Sequence, residues 1–255
     1  MEYRKVFNTI PEQFDAYRPR YCDELFEALM EYADVGEGTS VLEIGPGTGQ
    51  ASGPVIETGC DYCAIELGEH LAAFMQNKFG DRPNFHMIND DFITYDFGDR
   101  KFDLIYSAAT IQWIGEEIAY PKCYDLLKEG GVLAMMLTSG DYRRSNETLY
   151  GEIQKVYDAY FKPETDYRQE IKPFGYTNAP AYGFSEVEKR EFYGKRELTA
   201  AQYTAYCGTH SDHITIPEPY KTKFFDGLYN TVKAAGDKIV FEDTYVLYLT
   251  KKVTK

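Results

Sequence analysis

Ser40 to Ile44 reads SVLEI, a short apolar strand, and it runs directly into a turn with glycine at positions 45, 47 and 49. Glycine enters left-handed backbone without strain and lets a ligand come close to main-chain N–H groups, so a turn of this kind between a strand and a helix marks a binding loop. Further strands are expected over Tyr62–Glu66, Phe85–Asn89, Phe102–Ser107 and Gly131–Leu137, and helices over Asp23–Tyr32, Glu69–Phe79 and Glu116–Leu127. In the second of these helices Leu71, Ala72, Met75 and Phe79 share one face, whereas Gly131–Leu137 is a nearly continuous apolar run, as in a strand covered on both sides. Alternation of strand and helix predicts right-handed crossovers and an α/β, doubly wound, mostly parallel sheet. Its ligand would sit beyond the carboxyl ends of the strands.

After Ser139 the alternation gives way to a polar, aromatic stretch that includes Tyr142, Tyr150, Tyr157, Tyr160, Phe161, Tyr167, Phe174 and Tyr176. It is short for an independent core and reads as a helical, aromatic lid inserted after the fifth strand. Strands resume over Val187–Tyr193 and Tyr245–Thr250, with helices over Thr199–Tyr206 and Pro219–Ala235 between them. The expected organisation is one domain over 1–255. Within it, segment 1–36 closes over the ligand, 37–138 is the core, 139–183 the lid, and 184–255 the last strands and helices.

Composition narrows the partners. Lys and Arg total 27 against 41 Asp and Glu, a net charge of −14, and such a surface repels phosphate backbones and anionic headgroups. Neither nucleic acid nor membrane is expected as a partner. No apolar run approaches the roughly 18 residues of a membrane span and the first residues lack the apolar stretch of a signal peptide, so a cytoplasmic location is expected. The five cysteines do not form a disulfide framework. Cys60 and Cys63 make a C-x-x-C, but at the start of a strand instead of the helix N-terminus that activates a redox thiol, and no further pair of zinc ligands stands out. No metal site is expected.

The residues around the glycines select a ligand. A dinucleotide fingerprint would place its third glycine at position 50, where the chain has Gln50. Glu43, two residues before Gly45, would repel a pyrophosphate and attract an ammonium. Glu66, closing the next strand, is placed to accept from both hydroxyls of a ribose. Asp90, Asp91 and Phe92 follow the third strand, where an acid can accept from an adenine amine and an aromatic can pack on the ring; Asp91 is the first choice for the amine.

Taken in order, VLEIGPGTG, AIEL, NDDF, KFDLIYSAATIQWI and LLKEGGVLAMML resemble the motif series of class I S-adenosylmethionine (SAM)-dependent methyltransferases. FDAYRPRY, IQWI and THSDHITIPEP are similar to segments of the small-molecule branch, of the type-11 and trans-aconitate methyltransferase kind. The resemblance implies a Rossmann-like sheet of seven strands, SAM as the only cofactor with S-adenosylhomocysteine as product, and no metal. It implies cofactor contacts from Tyr17, Arg18, Arg20, Glu43, Gly45, Pro46, Gly47, Gly49, Gln50, Glu66, Leu67, Asp90, Asp91, Phe92 and Ala108. Gln112 and Trp113 would face the methyl acceptor. His213 is the expected general base where the acceptor carries a proton, because histidine titrates near neutral pH. The expected activity is in-line methyl transfer to a small molecule by a monomer or homodimer. The alternatives are a nicotinamide-dependent oxidoreductase and a SAM-binding protein without turnover.

Overall fold

A computed structural model of the chain describes residues 3–164 and 172–253. Tyr167, one of the aromatics expected in the lid, lies outside the described residues. In chain order the elements are α1 (Pro11–Tyr17), α2 (Asp23–Ala33), β1 (Ser40–Ile44), α3 (Ser52–Ile56), β2 (Asp61–Glu66), α4 (Glu69–Phe79), β3 (Phe85–Asn89), β4 (Phe102–Ala108), α5 (Glu116–Leu126), β5 (Leu127–Asp141), α6 (Glu147–Tyr160), β6 (Glu188–Leu198), α7 (Ala200–Cys207), α8 (Ser211–Ile214), α9 (Tyr220–Ala234) and β7 (Ile239–Lys251). Among the described residues no helix is long and apolar enough to cross a membrane.

The sheet has seven strands in the order β3-β2-β1-β4-β5-β7-β6 and is mostly parallel with one antiparallel hairpin. Its register is regular where the glycine loop begins: Glu43 of β1 lies opposite Ala64 of β2 and Tyr106 of β4. The chain winds one way from β1 to β3 and the other way from β1 across to β4. The crevice at the carboxyl ends of β1 and β4 is therefore the switch point where doubly wound sheets bind ligands.

The residues cluster into two compact units. One comprises 19–138, 171–192 and 245–255 and carries most of the sheet. Its two faces bury separate apolar clusters: Leu25, Leu29, Val55 and Met75 lie in one, Phe92, Phe97, Ile105 and Cys123 in the other. Successive strand residues feed alternate faces, so Cys60 and Cys63 sit in different clusters and do not form a disulfide. The other unit comprises 1–18, 139–170 and 193–244, built on α6, α7 and α9 around Ile153, Tyr203, Phe224 and Leu228.

The aromatic stretch after β5 divides between them. Helix α6 is capped by the Asn146 side chain, which accepts from Leu149 N at 2.9 Å, and buries Leu149 and Ile153 on its inner face. Tyr142, Val156 and Tyr157 pack around the same cluster. Phe174, Tyr176 and Tyr182 instead pack in the sheet unit, where Tyr176 stacks on Tyr248 at 5.0 Å and Tyr120 donates to the Gly175 carbonyl at 2.8 Å.

Candidate active site

β1 ends in a loop whose three glycines all lie in the left-handed region, with φ of 65° at Gly45, 61° at Gly47 and 84° at Gly49. Two of them are also crowded. A Cβ on Gly45 would lie 2.2 Å from the Thr110 methyl, and one on Gly49 would lie 2.8 Å from both Met75 and Phe79. The loop is braced from several sides: Gly45 N donates to the Ile65 carbonyl at 2.9 Å, Thr110 Oγ1 to the Gly45 carbonyl at 2.9 Å, and Lys78 Nζ to the Thr48 carbonyl at 3.0 Å. Gln50 turns back on the loop and donates to Thr48 Oγ1 at 2.7 Å.

Glu66 closes β2 with its carboxylate folded against this loop. Oε2 accepts from Gly47 N at 3.0 Å and Oε1 from Gly68 N at 2.9 Å, in a side chain that is only 7% exposed. Burial pushes its pKa up to about 7; the amides of Gly68 and Gly47 oppose that shift and the nearby Glu43 adds to it. An ionised carboxylate has about four acceptor positions, and these two amides use two of them.

Glu43 lies deeper. It shares a face of β1 with Val41, two residues earlier, and so points into the same cluster, where Oε2 accepts from Ser52 Oγ at 2.5 Å and from the Tyr62 hydroxyl. Tyr62 and Tyr106 hydroxyls meet at 2.9 Å. Burial raises the Glu43 pKa, opposed by hydrogen bonds from Ser52, Tyr62 and Tyr106. The other oxygen, Oε1, is buried with no hydrogen-bond partner among the described residues.

Beyond β3, the two consecutive aspartates behave differently. Asp91 Oδ1 accepts from Ile93 N at 2.9 Å, and the carboxylate attracts the half-buried Lys122, so Asp91 is part of its own turn. Asp90 is exposed and accepts from Asp91 N at 2.7 Å. Phe92 is buried against Phe97, with the Lys122 ammonium 5.2 Å over its ring. Leu67 and Ala108 are half-buried, at the ends of β2 and β4.

Gln112 and Trp113 form a single 3-10 turn after β4. Gln112 donates to the Ala109 carbonyl at 2.9 Å and accepts from the Tyr176 hydroxyl at 3.1 Å, and Trp113 is half-buried. Ala109 and Thr110 did not enter the sequence reading. Ala109 is a non-glycine residue at φ 54°, a strained conformation of the sort that collects at ligand sites. The usable signal was position: both residues directly follow β4, the neighbour of β1 across the switch point.

In the other unit, Tyr17 is exposed at the end of α1. Arg18 lies 5.6 Å from the Phe7 ring centre and 5.2 Å from that of Phe14, and donates to the Thr209 carbonyl at 2.9 Å. Arg20, in the sheet unit, is exposed. His213 falls in α8 and is buried, with Nε2 2.8 Å from the Tyr157 hydroxyl and Nδ1 2.6 Å from Asp212 Oδ1. Both of its nitrogens are engaged.

Residues 42–135, which span β1 through most of β5, match the family described as "Methyltransferase domain". Over that stretch the chain is similar to methyltransferase domains, and its seven-stranded sheet has the Rossmann-like fold of the class I SAM-dependent kind. The methyltransferase assignment is matched by relatives. The chain is 26% identical over 151 residues to a malonyl-[acyl-carrier protein] O-methyltransferase of Marinomonas sp., a match covering 58% of this chain and 56% of that protein. It is 22% identical over 257 residues to an uncharacterized methyltransferase of Schizosaccharomyces pombe, covering 98% of each. Among solved structures, phosphoethanolamine N-methyltransferase 2 of Haemonchus contortus, bound to phosphomonomethylethanolamine and S-adenosylhomocysteine, shares the fold. The TM-score is 0.59 at 13% identity, over all of this chain and 61% of that one.

The acceptors gathered around this loop suit SAM. The loop is held at positive φ, Glu66 keeps about two acceptor positions beyond the two amides, and the orphaned Oε1 of Glu43 is an acceptor for a donor that the described residues do not supply.

Proposed function

We propose that the whole chain is an enzyme that transfers the methyl group of SAM to a small-molecule acceptor by in-line displacement, releasing S-adenosylhomocysteine. The observation that carries this reading is Glu66: a buried strand-end carboxylate tied to both the glycine loop and the following turn, with acceptor positions left over. The net charge of −14 supports a small acceptor over a polyanion.

The bound sulfonium supplies an electrophilic methyl, so the chain's own task is alignment and exclusion of water. Glu66 holds the ribose by its hydroxyls. Asp90, exposed where Asp91 is committed to its turn, accepts from the adenine amine, and the backbone beside Leu67 and Ala108 flanks the nucleoside. Glu43 acts on the methionine ammonium through its free oxygen, and the backbone of Gly45, Pro46, Gly47 and Gly49 approaches the same end of the cofactor. Gln112, fixed by the Ala109 carbonyl and the Tyr176 hydroxyl, presents a rigid amide to the acceptor, with Trp113 beside it. A carboxylate acceptor, such as the name of the Marinomonas relative describes, needs no base at all.

Calorimetry with SAM, S-adenosylhomocysteine, NAD(H) and NADP(H) tests the cofactor, and mass spectrometry of a metabolite extract incubated with deuteromethyl SAM tests transfer. Binding of SAM with label appearing in one metabolite is the expected result. Nicotinamide binding in place of SAM, label recovered only in RNA, or SAM binding without any labelled product would overturn it.

A further inference from the structure

Helix α7 ends at Cys207, and α8 starts at Ser211, so Cys207, His210 and His213 follow one another at three-residue spacing around a tight turn. One donor atom from each of these side chains lies within 4.8 Å of the other two, with Cys207 and His213 buried and His210 half-buried. Both imidazoles are held from behind. His213 Nδ1 faces Asp212 Oδ1 at 2.6 Å, and His210 Nδ1 faces the Cys207 carbonyl at 3.2 Å. Each acceptor fixes the proton on Nδ1 and leaves a lone pair on Nε2. A carboxylate or carbonyl behind an imidazole is how proteins orient histidine ligands to metals. The Tyr157 hydroxyl, 2.8 Å from His213 Nε2, adds an oxygen to the same spot.

We propose that Cys207, His210 and His213 bind one zinc-class divalent cation, with the Tyr157 oxygen as its fourth ligand. Thiolate with imidazole is a donor set suited to zinc and poorly suited to magnesium or calcium. Bonds of about 2.3 Å to sulfur and about 2.0 Å to nitrogen require the donors to close in by about 1 Å, a side-chain adjustment at the end of a helix. Binding forms one metal–sulfur, two metal–nitrogen and one metal–oxygen bond, the last to the neutral Tyr157 hydroxyl in place of its hydrogen bond to His213 Nε2, and releases the Cys207 thiol proton to solvent; nothing is oxidised or reduced. Arg18 acts electrostatically on His210 and opposes a cation there, while Asp212 supplies the opposite charge. The bound ion would tie the end of α7 to α8 and, through Tyr157, to α6. This inference does not depend on the methyl-transfer reading.

The test is metal content of the purified full chain after equilibration with zinc and gel filtration, together with the absorption spectrum of the cobalt-substituted protein. About one equivalent of zinc is expected, with a thiolate-to-cobalt charge-transfer band that is lost in Cys207→Ser. His210→Asn, at the half-buried member, should abolish the rise in Tm that zinc gives the parent, and Asp212→Asn should weaken zinc binding about 10–100-fold. No retained zinc, a cobalt band that survives Cys207→Ser, or a zinc-dependent Tm that survives His210→Asn would each overturn the proposal. If Cys207→Ser fails to fold, the His210→Asn measurement still decides.

Discussion

Replacing Glu66 with alanine tests the site at its centre. The parent carboxylate spends two acceptor positions on Gly47 N and Gly68 N, at 3.0 and 2.9 Å, and has about two left for ribose hydroxyls. Losing hydrogen bonds to a charged group lowers SAM affinity by about 1–3 kcal/mol, or about 5–150-fold in Kd. The pH dependence is more diagnostic. Burial puts the Glu66 pKa at about 7, against an ordinary value of 4.5. Only the ionised form keeps all its acceptor positions, so SAM affinity should fall as pH drops below about 7, approaching tenfold per pH unit. Folding responds in the opposite sense. The unfolded chain gives up the proton from about pH 4.5 upward while the folded chain holds it to about 7, so stability is greatest below the lower value and declines across that window by up to about 3 kcal/mol. Calorimetry and urea unfolding between pH 5 and 8.5 should show these two opposite slopes in the parent and both reduced in Glu66→Ala, where Glu43, also raised by burial, still contributes to the second. An unchanged SAM affinity in the variant, or the same affinity profile in both proteins, would refute the assignment.

Other substitutions separate binding from folding. Asp90→Ala should weaken SAM binding with little change in stability, whereas Asp91→Ala, which removes the acceptor of Ile93 N, should lower Tm; calorimetry and thermal melts on both variants check the division. Gly47→Ala places a side chain at φ 61°, and about 1–2 kcal/mol of backbone strain should appear as lost stability together with weaker SAM binding. Asp243→Ala strands Arg196, whose Nε and Nη2 lie 2.5 and 2.9 Å from the buried carboxylate, and should destabilise the chain by about 3–5 kcal/mol in urea unfolding.

The sheet was legible because strands buried on both faces and helices with one apolar face leave different periodicities. β1 and β3 appear over the expected residues, and Glu66 stands at the end of β2 where its motif placed it. Helix α6 was harder to see. Leu149, Ile153, Val156, Tyr157 and Tyr160 do recur at helical spacing behind the Asn146 cap, but a stretch so rich in tyrosine reads first as a surface for a ligand. Its ends then part company, since the aromatics near α6 and those after residue 172 join different apolar clusters. Composition cannot separate them, because the same residue types fill both.

Direction was the information least available from the motifs. Strand alternation alone puts Glu43 on the face of Val41, toward the interior, so the carboxylate beside the glycine loop can offer a ligand only what its interior partners leave over. In the structure three hydroxyl-bearing side chains, Ser52, Tyr62 and Tyr106, gather around it, and they come from α3, β2 and β4. The same limit applies to consecutive aspartates. Asp90 and Asp91 are chemically identical in sequence, and only the turn that Asp91 closes onto Ile93 N leaves Asp90 as the exposed acceptor. His213 shows the converse: its residue type advertised a free base, while its immediate neighbour Asp212 and the distant Tyr157 occupy both nitrogens. A motif names the chemistry a position can offer; the partners that three-dimensional packing brings decide how much of it is left to offer a ligand.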